Sequence, residues 1–184
     1  MKRVCFIGFL GTGIRDVRYK AEPGLIQLGH VGLAFEGEPA LILGFHPSPE
    51  AIEAIGGQEA ALKWLRNRKD GNRLDGCLQN DVAIFERAYE ISQSNPQTRV
   101  WERAQEVDEE AFEKLREQAL EWYNEKRIFP YALPLPSREI EWDNCATFPR
   151  RLGLDLPETS GQLQRYIPAL QAGGRLWKPK GSGS

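Results

Sequence analysis

Cysteine is scarce in this chain. Only Cys5, Cys77 and Cys145 occur among 184 residues, and an odd, irregularly spaced set excludes a disulfide framework and fits a reducing compartment. Histidine is scarcer still, with His30 and His46 the full complement. Without a C-x-x-C pair there is no sequence pattern for a structural zinc site, so neither a metal nor a cofactor is expected. No apolar run approaches the ~20 residues that span a bilayer. The short apolar run near Met1 breaks at Gly11 without a cleavage-site pattern, so the chain is expected in the cytoplasm as synthesised, with signal-less export left open. Neither sign of charge dominates: 24 Lys and Arg face 26 Asp and Glu, for a net charge of −2. That balance carries no electrostatic footprint for nucleic acid or an anionic membrane, and neither is an expected partner.

What is present suits a globular chain, with 41% hydrophobic and 27% charged residues. Residues 1–180 are expected to form one domain, and the Gly-Ser-Gly-Ser tail at 181–184 resembles an appended linker. A chain of this length buries about 70% of its unfolded surface and needs no staple.

Residues 4–10 read as a buried strand and 25–35 as a second. From Gly29 onward strict alternation puts His30, Gly32 and Ala34 on one face and Val31, Leu33 and Phe35 on the other. A turn at 36–39 leads to a hairpin partner at 40–46. Ser48-Pro49 opens a helix interrupted at Gly56-Gly57, and Asn80 or Asp81 opens another that runs to about Ile91. Residues 99–104 read as a strand. Asp108 caps the clearest helix, in which Phe112, Leu115, Ala119 and Trp122 recur at helical spacing. After an extended stretch at 128–136, Asp143 or Asn144 offers a cap to a short helix beginning near Cys145, cut short by Pro149 and Gly153. Residues 154–174 read as a mixed tail. The pattern predicts an α+β domain with a small, mainly antiparallel sheet.

A thiol attacks a carbonyl as thiolate, and both a helix N-terminus and a nearby imidazolium favour that form. Cys145 has the first by position, and its own amide can contribute to an oxyanion hole. The second must come from His30, set among glycines that leave its ring approachable, or from His46, which either orients His30 or begins the loop before Pro47. Cys5, in an apolar strand, and Cys77, in a Gly-rich turn, read as packing residues. Trp142 and Phe148 flank the nucleophile as groove or core residues. The glycines at 8–13 fail as a dinucleotide loop because no clear helix follows and their spacing is wrong.

The order Gly29-His30-Val31-Gly32, then Gly44-Phe45-His46-Pro47, then Asn144-Cys145-Ala146-Thr147-Phe148 resembles the circularly permuted branch of papain-like cysteine hydrolases. That branch includes lecithin:retinol acyltransferase-like enzymes, permuted deubiquitinase-like peptidases and cell-wall amidases. The resemblance spans roughly residues 25–168. It implies a histidine strand first and a cysteine helix last, with Cys145 as nucleophile and His30 as base. The implied reaction is cleavage of a peptide, isopeptide or other amide bond, so the implied partner is a peptide or protein substrate. Acyl transfer or lipid deacylation, or an inactive interaction domain, are the alternatives on the same fold.

Overall fold

A computed structural model describes residues 1–11, 29–67, 72–133 and 143–181. In chain order the strands and helices are β1 (Lys2–Leu10), β2 (Gly29–Phe35), β3 (Ile42–Pro47), α1 (Pro49–Ala54), α2 (Gln58–Arg66), β4 (Leu74–Asn80) and α3 (Val82–Ser94). They continue with β5 (Trp101–Val107), α4 (Glu109–Asn124), β6 (Phe129–Tyr131), α5 (Leu163–Gly173) and β7 (Arg175–Leu176). Short 3-10 segments lie at Pro96–Thr98 and Phe148–Leu152. The fold is α+β, built on one seven-stranded sheet in the order β6-β4-β3-β2-β1-β5-β7, with every named strand pair antiparallel.

Alternation makes the sheet two-faced. Val4, Phe6, Val31, Leu33, Phe35, Leu43, Phe45 and Leu78 supply one apolar layer, covered by Phe112, Ala119 and Trp122 of α4 and by Tyr166, Ile167 and Leu170 of α5. Ile7, Phe9 and Ile42 supply the other layer, covered by Phe85 and Ala88 of α3. Each fully buried Phe or Leu in these layers contributes about 1.5–3 kcal/mol. The helix starts legible in the sequence are capped as expected. Ser48 Oγ accepts the Ala51 N–H at 3.1 Å, and Asp108 Oδ1 accepts the Ala111 N–H at 2.8 Å.

Two segments differ from the sequence reading. Cys77 lies not in a turn but in β4, paired with His46 of β3. The segment Leu74-Asp75-Gly76-Cys77-Leu78 has weak strand propensity, so its neighbours impose the strand. A Cβ at Gly76 would stand 2.6 Å from the Phe45 ring, a closeness that only glycine permits. The expected mixed tail contains a true helix, α5, with Pro168 inside it. Its buried residues Tyr166, Ile167 and Leu170 follow helical spacing, while Pro168 stays exposed on the outer side. Burial on the sheet offsets the roughly 3 kcal/mol that an interior proline costs. The start of the second expected strand, residues 25–28, lies outside the described residues.

Candidate functional site

β2 carries His30 and β3 carries His46, and alternation sets both on the face covered by α3. The third member comes from the junction of β4 and α3. Asp81 sits in the cap position of α3 but makes no side-chain cap hydrogen bond. Asn80 takes that duty, its Oδ1 accepting the Val82 N–H at 3.2 Å. Asp81 is anchored instead through its own N–H to the Ile42 carbonyl at 2.7 Å, and its carboxylate turns onto the sheet. Gly44 makes room for it: a Cβ there would fall on Asp81 Oδ2 and stand 2.6 Å from His30 Nε2.

Both imidazoles converge on this carboxylate. His30 Nε2 lies 2.6 Å from Oδ2, and His46 Nε2 lies 2.7 Å from Oδ2 and 2.9 Å from Oδ1. The two rings stack at 4.4 Å with 26° between their planes, and Phe85 of α3 closes over His30 at 5.7 Å. His30, His46 and Asp81 are 4%, 7% and 2% exposed, so the cluster is a buried polar network rather than a wet surface pair. Burial alone would raise the Asp81 carboxyl, but the charges and hydrogen bonds of His46 and His30 hold it at about 2. Burial lowers the His30 imidazole and His46 lowers it further, against the pull of Asp81.

These shifts carry a stability consequence. In the fold both groups bind protons more weakly than their ordinary values of 6.5 and 3.8 would imply. The unfolded chain therefore takes up protons first as pH falls. The stabilisation from His30 is complete above pH 6.5 and declines below it, and that from Asp81 declines from pH 3.8 to about 2. Urea midpoints should therefore drop between about pH 7.5 and about pH 5, and His30→Gln should flatten that slope. Equal slopes in the two proteins would contradict the assignment.

Cys145 arises from a different part of the fold. The chain leaves the sheet edge at Asp143, whose carbonyl accepts the Ala132 N–H at 3.1 Å and whose carboxylate pairs with Arg150 and Arg151. Asn144 then caps a tight turn, its Oδ1 accepting the Ala146 and Thr147 N–H groups at 2.9 and 3.1 Å. Thr147 Oγ1 reciprocates by accepting the Asn144 N–H at 3.1 Å. The expected short helix is this turn followed by the 3-10 segment Phe148–Leu152. Phe148 stacks on Phe45 at 4.3 Å and belongs to the core, whereas Trp142 lies outside the described residues.

The sulfur packs among the side chains of the α4/α5 face, beside an apolar void of about 10 Å³ lined by Leu33, Leu43, Phe45, Leu78 and Phe148. Such a void holds no more than about one water. Among the described residues no hydrogen bond joins the sulfur to either imidazole; the structure brings His30 and His46 together on Asp81, while Cys145 belongs to the apolar cluster under α4 and α5. The backbone amides of Val31, Cys145 and Ala146 favour the thiolate, although the Ala146 N–H is itself donated to Asn144 Oδ1. Val31 immediately follows His30, and the β2–β3 ladder runs only from Gly32 to Ala34 on the β2 side. The thiol is not lowered as a helix N-terminus would suggest. Burial pushes it up to about 12, the Asp81 charge adds to that, and the three amides only partly offset it.

No family model, curated protein or solved structure matches this chain. Its chemistry must be read from its own groups. These are a His-Asp-His network on β2, β3 and the β4–α3 junction, and a buried thiol whose surroundings include the Val31 amide. Asp81 is the member that sequence reasoning missed, because an Asp before a helix has a sufficient explanation as a cap. The signal available was redundancy: Asn80 beside it can serve the same purpose. No described helix is long and apolar enough to cross a membrane.

Proposed function

We propose that this protein is a thiol hydrolase acting on peptide or isopeptide amide bonds, with Cys145 as nucleophile, His30 as base and Asp81 as the residue that orients His30. The supporting observation is the adjacency of the parts. Asp81 holds His30 Nε2 at 2.6 Å, and the amide of the next residue, Val31, favours the Cys145 thiolate. With Nε2 committed to the carboxylate, proton exchange with sulfur falls to Nδ1. A thiol pushed up to about 12 and an imidazole held low do not exist as a resting ion pair. The reaction therefore begins neutral: the thiol proton passes to His30 as sulfur bonds to the carbonyl carbon. The protonated ring gives that proton to the leaving amine as the C–N bond breaks. Water, deprotonated by His30, then cleaves the thioester and restores the thiol. Proton transfer needs hydrogen-bond reach, so sulfur and ring must close on each other in the substrate complex, as catalytic contacts often tighten only there.

The burial of Cys145, at 7% exposure beside a void too small for substrate, favours a second reading: an interaction domain that uses the same residues for packing alone. An activated p-nitrophenyl ester separates the two. The hydrolase accumulates an acyl adduct on Cys145, found by peptide mass spectrometry. Cys145→Ala abolishes the adduct, and His30→Gln slows it by about 100-fold or more, the usual worth of a general base. Acylation no faster at Cys145 than at the buried Cys77, or unchanged in His30→Gln, rejects the hydrolase.

A further inference from the structure

We infer that His30, His46 and Asp81 form a binding site for one divalent first-row transition cation, with zinc as the probe. Three elements that are distant in sequence each deliver one donor to a common point, and these donor atoms all lie within 4.8 Å of one another. Two imidazole nitrogens with one carboxylate is a donor set for zinc, iron(II), cobalt or nickel, whereas calcium and magnesium take oxygen. The spacing is close to what a metal requires. Donors about 2.0–2.2 Å from a tetrahedral ion stand roughly 3.3–3.6 Å apart, against the 2.6, 2.7 and 2.9 Å seen between the ring nitrogens and the carboxylate oxygens and the 4.8 Å within which all three donors lie. An opening of about half an ångström to one ångström between ring and carboxylate, with each neutral ring moving its proton from Nε2 to Nδ1, converts the hydrogen-bonded network into a ligand set.

The surroundings favour a cation as well. The charged groups that act most strongly on Asp81 are the two imidazoles, and among the described residues no Lys or Arg forms an ion pair with it. A buried carboxylate without a permanent cationic partner is costly. Gly44 leaves the floor of the cluster bare, and Phe85 shields its outer side. Cys145 is not part of the donor group, so the site is independent of the sulfur. If the hydrolase reading is also right, the cation occupies the base and switches the enzyme off.

The full chain, stripped with a chelator and exchanged into metal-free buffer, tests this directly. Titration against a chromogenic zinc indicator should give one equivalent bound, and zinc should raise the melting temperature of the wild-type protein. Cobalt should give visible d–d bands without a sulfur-to-cobalt charge-transfer band. His46→Gln should weaken zinc binding by at least about 100-fold, more than loss of an outer-shell partner costs, while Cys145→Ser should leave it unchanged. Absence of both binding and thermal shift in the wild-type protein overturns the inference. So does binding that survives His46→Gln in folded protein, or that vanishes in Cys145→Ser. Zinc binding with a silent ester assay leaves this site standing and the hydrolase reading fallen; acylation without zinc binding does the reverse.

Discussion

Gly44→Ala is expected to destabilise the protein by about 3–5 kcal/mol, the range for breaking a buried ion pair. The added methyl occupies the position of Asp81 Oδ2 and stands 2.6 Å from His30 Nε2. The sheet backbone on which Gly44 sits cannot retreat, because Gly32 of β2 and Gln79 of β4 pair with it on either side. The carboxylate must leave, and two buried imidazoles lose their partner at once. Gly32→Ala, one strand away on the same face, is the informative comparison. Its Cβ would meet Ile42 Cγ2 at 2.7 Å and the Phe85 ring at 2.8 Å, both of them side-chain atoms that can shift. The cost there should be smaller, about 1–3 kcal/mol as for ordinary overpacking. Urea unfolding measures both, and a Gly44→Ala protein as stable as Gly32→Ala would show that the carboxylate is not held on the sheet.

Phe148→Ala should cost a similar amount, about 3–5 kcal/mol. Its ring stacks on Phe45 at 4.3 Å and meets Phe129 and Trp122 edge-on at 5.4 and 6.0 Å. It is the peg that joins the Cys145 turn to the sheet, and the neighbouring void gives the site little capacity to collapse around the loss. Phe148→Leu, which keeps most of the apolar contact, should cost about half as much or less. The same pair of variants also probes the sulfur. Loosening the turn should raise alkylation of Cys145 by iodoacetamide in Phe148→Ala while Cys77, on a different element, stays as in the wild type. Uniform exposure of both thiols would instead mean global unfolding.

Much of the fold was written in local pattern. The alternation through Gly29-His30-Val31-Gly32-Leu33 set the faces of β2, and the caps Ser48 and Asp108 set the starts of α1 and α4. Pro149 and Gly153 foretold a truncated turn after Cys145. These features depend on neighbours within about one helical turn or one strand pair, and such constraints survive in a one-dimensional reading. β4 and α5 were less legible. Leu74–Asn80 becomes a strand because β3 and β6 flank it, and α5 tolerates Pro168 because its other side is buried.

The site divides along the same line. Residue identity and period by themselves set His30 on a sheet face with Gly32 and Ala34, left His46 either orienting it or opening the loop before Pro47, and put Cys145 after a capping Asp or Asn. Only the packed structure decided that a carboxylate from the β4–α3 junction joins those histidines, and that the Cys145 sulfur is buried, with its thiol pushed up to about 12. Periodicity states which side chains point together. It does not state which distant segment arrives on which side, nor how much water that arrival removes, and desolvation is the largest influence on the thiol.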